Sequence, residues 1–235
     1  MDYTDIKNVD DKDKSMYLKL VPGKYVLRLL GKPEDYKHHW ENQKKYACLG
    51  MDGCPHCKKT DTDGDGSNRP RTSYVTNVFV KLAPGDDPKD IDPQTKLRKV
   101  PELMLLEKGR QIFGTFGAWA RAREINPGGE KGPDWQLIVE KTGPEVRNVR
   151  YQLFPLDIAP LTNEEKKILK AQNLYDVKKI VSDRIEKYKK ELDGESGPGL
   201  AVDDTDIEGL DDISLDDVDG ILDEIDGDSN IDLEF

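Results

Sequence analysis

The fold class this sequence predicts is α+β: mainly short antiparallel strands closing into a small barrel, with a metal-bearing subdomain, a helical C-terminal segment and a disordered acidic tail. Three observations predict it. Apolar residues alternate at period two around residues 17–30, 71–81, 134–141 and 149–154, with one helical stretch interrupting, a pattern that fits a β-barrel better than a parallel sheet. Every cysteine and histidine of the chain lies between His38 and Cys57. Residues 203–235 hold 15 Asp or Glu and no Lys or Arg. The expected organisation is a flexible arm at 1–15, a core at 16–193 with the metal subdomain at 36–60, and a linker with an acidic tail at 194–235.

The arm is polar and mixed in charge, so it lacks the apolar surface to fold alone. Tyr17-Leu18-Lys19-Leu20 and Tyr25-Val26-Leu27-Arg28-Leu29-Leu30 then read as a β-hairpin about a Pro22-Gly23 turn. The metal segment follows. In Cys54-Pro55-His56-Cys57 two intervening residues let a tight turn aim both sulfurs at one point, and Cys48 and a histidine arrive on a hairpin with arms at 36–40 and 45–48. Three thiolates and one imidazole make a closed, tetrahedral, structural zinc site. The simpler alternatives are inert reduced thiols or a redox pair at Cys54 and Cys57, but neither accounts for all ligand types falling in one window. Alternation sends His38 and His39 to opposite faces, so one of them serves, and His56 inside the turn is expected to point outward.

Asp61-Thr62-Asp63-Gly64-Asp65-Gly66 opens like a calcium loop, yet Thr72 stands where the bidentate glutamate belongs, so a solvated loop is expected. The strongest strand runs from Arg69 to Lys81. It is introduced by Arg69 and Arg71, which precede Tyr74, and basic side chains near an exposed aromatic are what a single-strand binder needs, with cations following phosphates and a ring stacking on an unpaired base. Taken by itself, the stretch reads slightly better as a core strand with Tyr74 buried. Residues 84–93 form a surface loop, and 96–100, with Arg98 and Lys99, a short basic strand. Residues 103–124, which include Arg110, take helical spacing, with Leu105, Leu106, Ile112, Phe113, Phe116 and Trp119 on a core face and glycines weakening the helix. Asn126-Pro127-Gly128-Gly129 stops it. A second strand pair at 134–141 and 149–154 follows, then a helix opened by the capping box Thr162-Asn163-Glu164-Glu165 and running to about residue 192, with a break near Asn173-Leu174. Its lysines form a solvated face.

The net charge of −11 conceals a polarity: residues 1–202 carry 32 acids against 36 bases, so the body is basic and the tail acidic. Aliphatics recur among the tail acids, from Ile207 to Ile225 and again at Ile231 and Leu233, which suits docking in a partner's groove. No apolar run is long enough to cross a membrane and no leader is present, so a cytoplasmic, reducing setting is expected.

In their order, these segments resemble the zinc-containing single-stranded-DNA-binding (helix-destabilising) proteins of tailed bacteriophages. The resemblance spans residues 16–193 and returns in the tail. It rests on the first strand pair, the His…Cys…Cys-Pro-x-Cys cluster, Arg71-Thr72-Ser73-Tyr74 after it, and the acidic C-terminus. It implies an OB-fold with a zinc subdomain, and a basic cleft for single-stranded DNA of any sequence. The tail would recruit replication, recombination and repair proteins and compete with DNA, in the cytoplasm of an infected bacterial host. By position, Cys48, Cys54 and Cys57 match the thiolate ligands and His39 or His38 the imidazole, with His39 favoured. Tyr74 with Arg71, and Lys45 with Tyr46, match DNA-contacting pairs, and Arg69, Arg98, Lys99 and Arg110 complete the cationic candidates. Val75 stands where a second aromatic can follow the tyrosine, and the arm lacks the basic self-association motif of some members, so self-association along DNA is an open expectation.

A closed zinc site leaves no position for a water nucleophile, and no histidine lies outside the window to build a catalytic cluster, so an enzyme is not expected. The alternative is a zinc-ribbon transcription or repair factor that binds duplex DNA or a polymerase.

Overall fold

The computed structural model describes residues 16–41, 44–63, 69–144 and 148–193. The arm at 1–15, the glycine-rich residues after Asp63, and the linker and acidic tail at 194–235 lie outside the described residues.

One antiparallel sheet dominates. Its strands are β1 (Gly23–Glu41), β2 (Lys44–Ala47), β3 (Arg71–Leu82), β4 (Glu102–Gly109), β5 (Pro133–Lys141) and β6 (Val149–Ile158), in the order β4-β3-β1-β5-β6, with β2 added to the far end of β1. The helices are α1 (Pro55–Asp63), α2 (Arg110–Arg123), α3 (Asn163–Ala171) and α4 (Val177–Leu192). The sheet is open among the described residues. Its edges β4 and β6 share no backbone ladder, although the Lys108 ammonium of β4 reaches across to 5.9 Å from the Tyr151 ring centre of β6.

β1 spans 19 residues and changes partners along its length: Gly23 to Leu27 pair with β5, Val26 to His38 with β3, and His38 to Glu41 with β2. Between Leu30 and Glu34 the register with β3 shifts, leaving Gly31-Lys32-Pro33 as a bulge. Gly31 takes φ +82°, which favours glycine, and the bulge frees Pro33 from donating to the ladder. Gly23 to Leu27 pair with β5 and Val26 onward with β3, so the expected 17–30 hairpin does not form. Tyr17 instead bridges Leu105 in parallel, with Leu18 N donating to Leu105 O, and the Tyr25 hydroxyl accepts from Val21 N at 2.7 Å.

One face of the sheet carries Leu27, Leu29, Val78, Val80, Leu106, Trp135 and Leu137, closed by Ile112, Phe113 and Phe116 of α2. Phe116 and Trp119 meet Trp135 edge-on at 4.7 and 5.3 Å. Such contacts add about 0.5–1.5 kcal/mol each beyond area burial. The chain leaves α2 through Gly128, whose Cβ would stand 2.6 Å from Leu29 Cβ, so only glycine lets this loop lie on β1. The opposite face is covered by α3 and α4.

Four expectations are corrected. Residues 102–109 are a strand and not the start of a helix, because a continuous apolar run satisfies either period and here both faces are buried. Residues 96–100 form no strand: the loop contributes one bridge, Ile91 to Arg98, and a 3-10 turn at Pro88–Asp90. Asp61 to Asp63 continue α1 and are not loop. His56 is buried and does not face solvent. The second strand pair, the Thr162 capping box and the break between the last two helices stand as expected.

Beneath α4 lies a buried carboxylate. Glu107, 8% exposed, takes Lys45 Nζ at 2.6 Å, Arg184 Nη1 at 2.8 Å and the Tyr36 hydroxyl at 2.5 Å, while Arg184 also donates to the hydroxyls of Tyr36 and Tyr17. Burial by itself would raise the Glu107 carboxyl, but Lys45 and Arg184 outweigh it and hold it at about 2. A carboxyl depressed from 4.5 contributes stability that is whole above that pH and lost as pH falls through about 2. Glu107→Gln strands two cations and should cost roughly 3 kcal/mol at pH 7 in a urea titration. The gap to the parent chain should narrow between pH 4.5 and 2. A gap that does not change with pH would mean that the charge does not hold this junction.

Candidate metal centre and aromatic groove

The β1–β2 hairpin and α1 bring four donors together. Cross-strand pairs His38–Ala47, His39–Tyr46, Trp40–Lys45 and Glu41–Lys44 fix the hairpin register, and Cys48 extends it through its N–H to Lys37 O at 2.8 Å. Cys54 precedes the first turn of α1 and Cys57 lies within it, Pro55 supplying the preset φ of a first helical residue. The ligand atoms of His39, Cys48, Cys54 and Cys57 all lie within 4.8 Å of one another.

The spacing is that of a coordination shell. Zinc–sulfur bonds near 2.3 Å in a tetrahedron put neighbouring sulfurs about 3.8 Å apart and sulfur about 3.5 Å from nitrogen. Here Cys48 Sγ is 3.5 Å from Cys57 Sγ, and Cys57 Sγ is 3.3 Å from His39 Nε2. Burial and then the neighbouring sulfurs push the Cys57 thiol up to about 12. Burial opposes ionisation of Cys54 too, but the backbone N–H groups of Leu49, Cys57 and His56 outweigh it and lower that thiol. Three sulfurs packed this closely ionise together only against a cation, so the donor set fits a thiophilic divalent metal.

The two adjacent histidines part as alternation requires. His39 is fully buried in the cluster, whereas His38 turns to the Glu107 junction with Nδ1 3.4 Å from Ser73 Oγ. Burial, then Lys45, holds His38 at about 3, so it sits there neutral. His56 lies beside the cluster with Nδ1 2.7 Å from Glu41 Oε2, stacked between His39 at 5.3 Å and Tyr188 of α4 at 6.0 Å.

The other candidate residues fall into two groups. Lys45 is committed to Glu107 and Ser73, Tyr46 packs against His56 and Tyr188, and Arg98 forks onto Asp86 and also meets Glu102. Arg69, Arg71, Lys99 and Arg110 are exposed. Tyr74 is half-buried, one face stacked on Phe113 at 5.2 Å. Arg71 and Tyr74 do not share a face, because period two sends Arg71 to the side of its partner His38 and Tyr74 to the side of Asp35 and Lys108. Val75 is fully buried in the opposite face and offers no stacking surface.

The cations on Tyr74's side are ones that strand alternation alone did not single out. Lys37, paired with Thr72, is exposed, whereas Lys108, opposite Tyr74, is 4% exposed and lies buried against Tyr151 where β4 and β6 approach. Register and the ring contact therefore link Tyr74, Lys108 and Tyr151 across the seam, and the exposed Lys37 lies on the same face of the sheet as Tyr74. The dipeptide Arg150-Tyr151 carries the same basic–aromatic signal as Lys45-Tyr46, but only the fold sets its ring at this seam.

The metal assignment separates the histidines. His39→Ala should remove tetrahedral cobalt absorption and lower zinc content below one per chain, while His38→Ala keeps both. Equal loss in the two variants would contradict the ligand set. No protein-family model and no curated protein matches this chain.

Proposed function

We propose that this chain is a non-catalytic single-stranded-DNA-binding protein of phage replication, recombination and repair. It would bind without sequence preference, and hold one structural zinc on His39, Cys48, Cys54 and Cys57. The observation that carries the reading is the Tyr74–Lys108–Tyr151 line across the open seam. Half-buried rings stack on unpaired bases of any sequence while nearby cations follow the phosphates. Four protein ligands complete a tetrahedron, so the metal's part is to shape the hairpin and not to activate water.

The strand order supports an OB-like barrel left partly open. Five strands in the order β4-β3-β1-β5-β6, with α2 between β4 and β5, are compatible with the connectivity of a partly open Greek-key barrel, with the candidate metal module in the connection after its first strand. In this reading the exposed Lys37 and Arg110 attract the backbone, while the buried Lys108, with Lys45, Tyr46 and Arg98, holds the scaffold. The acidic segment 203–235 competes with DNA for the basic body and recruits replication or recombination proteins, in the cytoplasm of the infected host.

Tyr74→Leu and Tyr151→Leu should each weaken oligo-dT binding roughly 5- to 150-fold, the range for losing about 1–3 kcal/mol of stacking. Arg71→Ala, on the opposite face, should change it less than about twofold. Lys37→Ala should reduce the salt slope by about 0.7. Deleting residues 203–235 should tighten binding at low salt and have little effect at high salt. Unchanged affinity in both tyrosine variants, with their folds intact, would remove the groove from the account.

A further inference from the structure

We infer that metal binding at the His39, Cys48, Cys54 and Cys57 cluster is thermodynamically linked to docking of the last turns of α4, with Tyr188 as the positioning residue that couples them. The inference goes beyond DNA binding and rests only on the metal site.

The module has almost no apolar core. Its buried apolar side chains among residues 44–59 are Ala47, Cys54 and Cys57. With so little apolar area to bury, its shape depends on the ligand set. A stack of rings leads out of that set. Ligand His39 lies against His56 at 5.3 Å with an interplanar angle of 30°, and His56 against Tyr188 at 6.0 Å and 25°. Tyr46, the cross-strand partner of His39, touches both, at 4.8 Å from His56 and 5.5 Å from Tyr188. The Tyr188 side chain thus rests on surfaces that exist only while the hairpin and α1 are held together.

Earlier turns of α4 are anchored elsewhere. Val181 packs with Tyr36, Val75 and Leu105, and Arg184 enters the Glu107 junction. These contacts are made to β1, β3 and β4, which are paired in the sheet without the metal. Losing the metal therefore removes the seat of the last turns, residues 188–192, and spares that of Val181 and Arg184.

Linkage is reciprocal: if the metal strengthens docking of Tyr188, Tyr188 strengthens the metal by the same factor. Two ring contacts at about 0.5–1.5 kcal/mol each correspond to a loss of roughly 5- to 150-fold. Tyr188→Leu, which keeps apolar bulk and removes the ring, should therefore weaken zinc affinity at least fivefold in a titration of the full chain against a competing chelator. In deuterium exchange, chelation should raise uptake at 44–59 and 188–192 and leave 177–184 and β5 protected. In Tyr188→Leu, uptake at 188–192 should already be high with zinc bound. Zinc affinity within twofold of the parent overturns the linkage, as does unchanged uptake at 188–192 once the module has opened. Loss of protection throughout β5 overturns it too, because the metal would then support the entire fold. A chain that takes up no zinc at all sinks the metal site itself.

Discussion

The architecture depends on β1 serving two structures at once. Over 19 residues it pairs with β5, then β3, then β2, so the strand that threads the core also delivers His39 to the metal cluster. The bulge at Gly31-Lys32-Pro33 makes this possible. It interrupts the ladder with β3 for three residues and resumes it, turning the distal half without ending the strand. A helix or a broken strand in the same place would separate the metal module from the sheet.

Two forces of different kind hold the distal half. Below it, Glu107 gathers Lys45 from the hairpin, Tyr36 from β1 and Arg184 from α4 into one buried junction. Pieces far apart in sequence meet there through charge in a low-dielectric site, where a missing partner costs more than the intact group contributes. Beyond it, three cysteines and His39 converge as a candidate metal site where little apolar surface is buried.

Much of this was legible because it is local. The candidate metal donors fall within 19 residues, the Thr162 cap is written in four, and the 134–154 strand pair is joined by a short turn. What escaped was long-range. Leu103-Met104-Leu105-Leu106 suits a buried strand or a helix equally, and only burial on both faces of the sheet decides it. The 17–20 segment pairs with β4 while β1 pairs with β5 and β3, which no local pattern reveals. Lys45 and Arg98 look like free cations until Glu107 and Asp86 are brought beside them. Tyr151 gains meaning only when β6 curls toward β4.

In the proposed function, the seam between β4 and β6 accepts bases that are not paired. Competition on the zinc-loaded full chain between a single strand and a duplex of equal length, at two salt concentrations, tests it most directly. Two stacked bases at a minimum of about 1 kcal/mol each predict a preference of roughly thirtyfold or more for the single strand, persisting as salt rises because stacking is not screened. Equal affinity for the duplex, or a preference that vanishes at the higher salt, would contradict the account.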